Sequence, residues 1–155
     1  MKKIILFIFM SLSLQASSYD IKYKGITLGK IETLSTLSQN YLKAKVSNPI
    51  VRMLLGKDFY VFYDTNKPNI KDAKFRNDSK KILFALKTAI DVRPANQNFV
   101  IDSKRNITLK CHDNSCTFDY FSSKKHNAHG IIEFDKDGKF YKLTEPKSTL
   151  VIERN

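Results

Sequence analysis

The stretch Asn106-Ile-Thr-Leu-Lys-Cys-His-Asp-Asn-Ser-Cys-Thr-Phe-Asp-Tyr-Phe121 decides the fold. Ile107, Leu109 and Cys111 alternate with polar residues, and Cys116, Phe118 and Tyr120 do the same beyond a four-residue His-Asp-Asn-Ser turn. A period of two on both sides of a turn defines an antiparallel β-hairpin with one apolar face. Both cysteines fall on that face. Directly opposed residues of an antiparallel pair bring their Cβ atoms close to disulfide geometry, so the spacing predicts a Cys111–Cys116 bridge that pins the register.

The same period extends outward in both directions. Toward the C-terminus, Gly130 to Phe134 and Lys139 to Leu143 flank the turn signal Asp135-Lys-Asp-Gly138, and Ser148 to Glu153 supplies a last strand. Toward the N-terminus, a strand is expected near Asn98 to Asp102. Before it, Ser79 is expected to cap a helix over Lys80 to Ile90, with Ile82, Leu83, Leu86, Ala89 and Ile90 on one face. Asp64 to Asp78 is polar and reads as a loop. Lys57 to Tyr63 reads as a strand with Phe59, Val61 and Tyr63 facing one way. Asn48 as cap, Pro49 at the first helical position and Gly56 just past the end define a short helix over Pro49 to Leu55 that is apolar nearly all round. Asn40 to Ser47 reads as a strand. In Tyr19 to Leu34 the apolar phase slips at Gly25, which predicts a bulge or sharp bend. Roughly eight or nine short antiparallel strands with two short helices define an all-β domain, a curved sheet closing to a small barrel or half-barrel.

Of the 155 residues, the first 18 have the form of a secretory signal peptide: Met-Lys-Lys, an apolar run from Ile4, then Gln-Ala-Ser-Ser. Cleavage after Ala16 or Ser18 leaves a small residue at the cut, and no cysteine follows the run to carry a lipid. The expectation is a single domain over 19–155 in the periplasm or secreted, where a short Cys-x4-Cys spacing favours a disulfide. Setting aside Lys2 and Lys3 leaves 25 basic against 15 acidic residues. That balance suits anionic envelope components, whether lipid or polymer. The cations are scattered over outward strand positions with no basic helix, and an exported chain has little access to nucleic acid, so no nucleic-acid partner is expected.

Three histidines, His112, His126 and His129, offer little for catalysis. No nucleophile elbow, paired-carboxylate motif or Gly-rich phosphate loop accompanies them, so a non-enzymatic chain without a cofactor is the reading. Cys111, Cys116, His126 and His129 have the right ligand types for zinc, but their spacing departs from finger patterns and the disulfide competes for the thiolates. No metal is therefore assigned.

The chain has 7 Tyr, 11 Phe and no Trp. On the inner face the alternation places Tyr19, Tyr23, Phe59, Phe118, Tyr120 and Phe134, either as core or as the lining of a cavity for a small apolar ligand or lipid. Val51, Met53 and Leu54 of the short helix are expected either to cover its mouth, with Met53 adaptable against an acyl chain, or to sit in a core plug that closes the barrel end.

At Tyr19 to Lys30, the pattern Tyr-x-Ile-x-Tyr-x-Gly-Ile-x-x-Gly-Lys resembles the opening strand of a family of exported bacterial proteins of unknown function. The hairpin-rich remainder with one helix looks like lipocalin-like (calycin) barrels or the half-barrels of periplasmic lipoprotein carriers. That likeness implies binding of an apolar small molecule or acyl chain in an internal cavity.

Overall fold

A computed structural model describes residues 17–63, 66–92, 96–124 and 127–155. Among these residues eleven strands form one sheet. In chain order they are β1 (Tyr19–Tyr23), β2 (Ile26–Ile31), β3 (Tyr41–Val46), β4 (Asp58–Phe62), β5 (Phe75–Asn77), β6 (Asn96–Asp102), β7 (Arg105–His112), β8 (Ser115–Ser122), β9 (Ala128–Phe134), β10 (Phe140–Glu145) and β11 (Leu150–Arg154). Their spatial order is β5-β4-β3-β2-β1-β11-β10-β9-β8-β7-β6, so β1 and β11 pair at the centre and β5 and β6 are free edges. The sheet is curved and open. All pairs are antiparallel except β4 with β5.

The hairpin that organised the sequence is present as read. β7 and β8 pair from Arg105↔Ser122 to His112↔Ser115, and Cys111 lies opposite Cys116 in a disulfide with Cα atoms 3.9 Å apart. The turn is tighter than the sequence suggests: Asp113 takes a left-handed φ of 49°, so His112 and Ser115 still belong to the ladder. Ile107, Leu109, Cys116, Phe118 and Tyr120 are buried. Closing so small a ring restricts the unfolded chain, and reduction is expected to cost about 2 kcal/mol. Urea unfolding with and without reductant measures it; identical midpoints would mean that the bridge adds nothing.

Other local expectations shift for physical reasons. The slip at Gly25 is a reverse turn joining two strands: Lys24 and Gly25 both take positive φ, and the register shift lies at Ile21/Lys22 instead. The stretch read as a loop from Asp64 to Asp78 contains β5, too short for a periodic signal and held by its parallel partner β4. A 3-10 turn over Ser35–Gln39 was not signalled.

Two α-helices differ in how they are held. α1 (Pro49–Leu55) has its expected signals, with Asn48 Oδ1 accepting from the N–H groups of Ile50 (3.0 Å) and Val51 (3.2 Å) and Gly56 ending it. It packs on β3 and buries none of its side chains fully. α2 covers Ile82–Val92, starting later than predicted because Lys81 takes a φ of 51°. Its cap is Asp78, whose Oδ2 accepts from the Leu83 N–H at 2.6 Å; Ser79 does not fill that place. Leu86 and Ala89 are fully buried, while Ile90 stays 40% exposed. α2 packs on β7, β8 and β9, and the sheet curls round it into one core that also takes in Ile31, Leu42 and Ile152 from the other half.

Candidate functional site

Because α2 leans on β7 to β9, the inner face of β1, β3, β4 and β11 is less completely covered. Ala44 of β3 lies directly across from Phe59 of β4, and a methyl group at this position leaves space that a larger side chain would fill. The result is an apolar cleft of about 120 Å³ floored by Ile21, Ala44, Phe59 and Leu150 and walled by Ile82 and Leu83 at the start of α2. A second cleft of about 90 Å³ shares Ile21, Ala44 and Phe59 and runs beneath α1, whose Val51 and Leu55 roof it. Gly29 of β2 belongs to this second floor; a Cβ there would lie 2.5 Å from the Lys45 carbonyl oxygen, so the backbone approach demands glycine. Each cleft is smaller than the roughly 300–1,000 Å³ of common small-molecule pockets. A slender chain fits such a space better than a ring system.

Asp78 is the polar group of the first cleft. Burial raises its carboxyl from the ordinary 3.8 to about 6, against the opposing pull of the Leu83 N–H and the Lys81 charge. Glu145, fully buried on β10, behaves in the opposite way. Burial raises its carboxyl too, but the Ser148 hydroxyl and N–H (2.7 Å) and the Lys80 ammonium at 3.5 Å outweigh this and hold it below the usual range.

The signs of the two shifts separate their effects on stability. A raised Asp78 binds a proton more readily folded than unfolded, so its contribution falls as pH rises from 3.8 to about 6. A lowered Glu145 contributes above its unfolded value near 4.5 and loses that contribution as pH falls through its folded value. Asp78→Asn keeps an oxygen for the Leu83 N–H and removes a half-buried charge. It is expected to gain about 1–2 kcal/mol at pH 7 and to flatten the stability profile between about pH 4 and 6. Thermal melts across pH check this; an unchanged slope in the variant would refute it.

On the far side of α1 lies a different surface. An open groove of about 600 Å³ runs between Met53 and Leu54 of α1 and Lys57, Lys71, Lys74 and Arg76. The Arg76 guanidinium stands 5.5 Å over the Phe59 ring.

The structure thus divides the residues singled out from the sequence. Val51 and Phe59 line the apolar clefts. Met53 and Leu54 point away from them, 89% and 79% exposed. Tyr23 sits at the β1–β2 turn, 41% exposed. Phe118, Tyr120 and Phe134 are buried in the core. Ile21, Ala44 and Leu150, which complete the floor, read from the sequence only as apolar strand positions and were not singled out as site residues. His126 lies outside the described residues; His112 and His129 are exposed on the hairpin and on β9. With both sulfurs in the disulfide, Cys111 and Cys116 offer no thiolate to a metal.

The fold and site define a class: an open, curved β-sheet wrapped round one helix, with two adjoining apolar clefts, one of them beneath a second, loosely held helix. Compared with protein-family models, with curated proteins and with solved structures, the chain matches none.

Proposed function

We propose that this chain is an exported, non-enzymatic carrier that takes a single apolar or acyl chain along the floor of Ile21, Ala44 and Phe59. The observation that carries this reading is that two apolar clefts share one floor, and that one is roofed by a seven-residue helix with no fully buried side chain. A helix of that length has little stability of its own and depends on packing, so the roof is held weakly enough to admit a ligand. Asp78 in one cleft and Lys45 in the other suit a ligand with an apolar body and one polar end. The leader-like first 18 residues support export to the periplasm or beyond.

Titration with a fluorescent fatty-acid probe tests the reading. Saturable binding that is nearly insensitive to a roughly tenfold rise in ionic strength is the expected result, because burial of an apolar chain is little screened by salt. Native mass spectrometry of protein from its own host, followed by organic extraction, identifies the cargo. Failure to bind any apolar probe would end the carrier reading.

A further inference from the structure

We infer that the outer face of α1 is a docking site for a bilayer of anionic phospholipid, with Ile50, Met53 and Leu54 entering the headgroup region and the neighbouring cations meeting lipid phosphates. Ile50, Met53 and Leu54 are 72%, 89% and 79% exposed on one short helix. They form a protruding apolar edge, whose shape suits insertion among lipid chains. Soluble domains seldom display such a cluster without a partner. The chemistry around it identifies the partner. Arg52 lies on the helix itself, and Lys57, Lys71, Lys74 and Arg76 line the adjoining groove. None of these five makes an ion pair among the described residues. Of the two acids in the groove, Asp58 is matched by Lys43 at 3.5 Å, which leaves Asp72 alone against the cations. Tyr60 also lines the groove, an amphipathic ring of the kind that sits at membrane interfaces. Apolar insertion together with several cations is the combination that holds a protein to an anionic surface.

The groove shares Leu55 and Phe59 with the clefts, but Ile50, Met53 and Leu54 line neither cleft and face outward. The inference therefore stands or falls separately from the carrier reading, and the same helix would place the cleft roof at the membrane.

Co-sedimentation of the full mature chain with vesicles of phosphatidylcholine, with and without phosphatidylglycerol, tests it. Binding only to the phosphatidylglycerol vesicles is expected, weakening with salt. Met53→Ser with Leu54→Ser, and separately Lys71→Gln with Lys74→Gln, should each lower vesicle affinity by about tenfold or more. These positions are exposed, so unchanged melting temperatures and unchanged fatty-acid probe binding are expected in both variants. Val100→Ser, which removes an apolar side chain 74% exposed on the opposite edge strand β6, should bind like wild type. Absence of binding to anionic vesicles would overturn the inference. So would equal binding by the Met53/Leu54 variant, or equally tight binding to a soluble polyanion such as dextran sulfate, since either would reduce the surface to charge alone.

Discussion

Replacing Phe118 with alanine is expected to cost about 3–5 kcal/mol, a large share of the about 5–15 kcal/mol by which a domain this size is stable. Phe118 is 1% exposed on β8 and lies across from Gly130 of β9. The ring packs over the glycine so closely that an added Cβ at position 130 would meet Phe118 Cε1 at 2.7 Å and Cζ at 2.9 Å. It would also meet the Thr144 carbonyl oxygen at 2.3 Å, which is backbone and cannot swing aside without disturbing β10. Gly130→Ala is therefore expected to cost about 1–3 kcal/mol or more, although it adds one methyl group. The two substitutions share the ring contact, so their effects should not add. Gly130→Ala should remain destabilising on the Phe118→Ala background, because the Thr144 oxygen stays in place. Urea unfolding of the four proteins measures this, and Gly130→Ala within about 0.5 kcal/mol of wild type would refute it.

The core around Phe118 was legible because its signals are local. Alternation, a polar turn and two cysteines lie within sixteen consecutive residues, and each points to the same hairpin. The ends of α1 were legible for the same reason, since Asn48, Pro49 and Gly56 act on the backbone beside them. What failed were features defined by partners distant in the chain. β5 exists because β4 lies beside it. The start of α2 depends on the left-handed backbone of Lys81, so Asp78 caps in place of Ser79, the cap read from the sequence. The clefts were less legible still. Of the rings that alternation put on the inner face, Tyr23 instead sits 41% exposed at the β1–β2 turn, whereas for Phe59, Phe118, Tyr120 and Phe134 it was sound. It could not say that α2 covers β7 to β9 and leaves the β3–β4 end thinly covered, which makes three of those rings core and one cleft lining. Ala44 left no trace because a small residue on an inner face looks the same whether it is tightly packed or beside a space.

That space gives the second large effect. Ala44→Leu is expected to lower affinity for a fatty-acid probe by about tenfold or more while leaving the fold intact. Ala44 is 4% exposed and lines both clefts, so three added carbons at this point project into volumes of about 120 and 90 Å³. Filling an existing cavity with apolar atoms offsets the cost of a larger side chain, and the stability change should stay within about 1 kcal/mol. Ala128→Leu is the contrasting control: Ala128 is as well buried but lines neither cleft, so the same three carbons should overpack the core and cost about 1–3 kcal/mol. Phe59→Ala works in the opposite sense, widening the shared floor, and should still admit the probe. Binding isotherms read beside thermal melts separate these cases, because blocking the cleft reduces affinity without loss of stability whereas damage to the core reduces both. If Ala44→Leu binds the probe as wild type does, the chain does not lie on the floor of Ile21, Ala44 and Phe59, and the carrier reading loses its site.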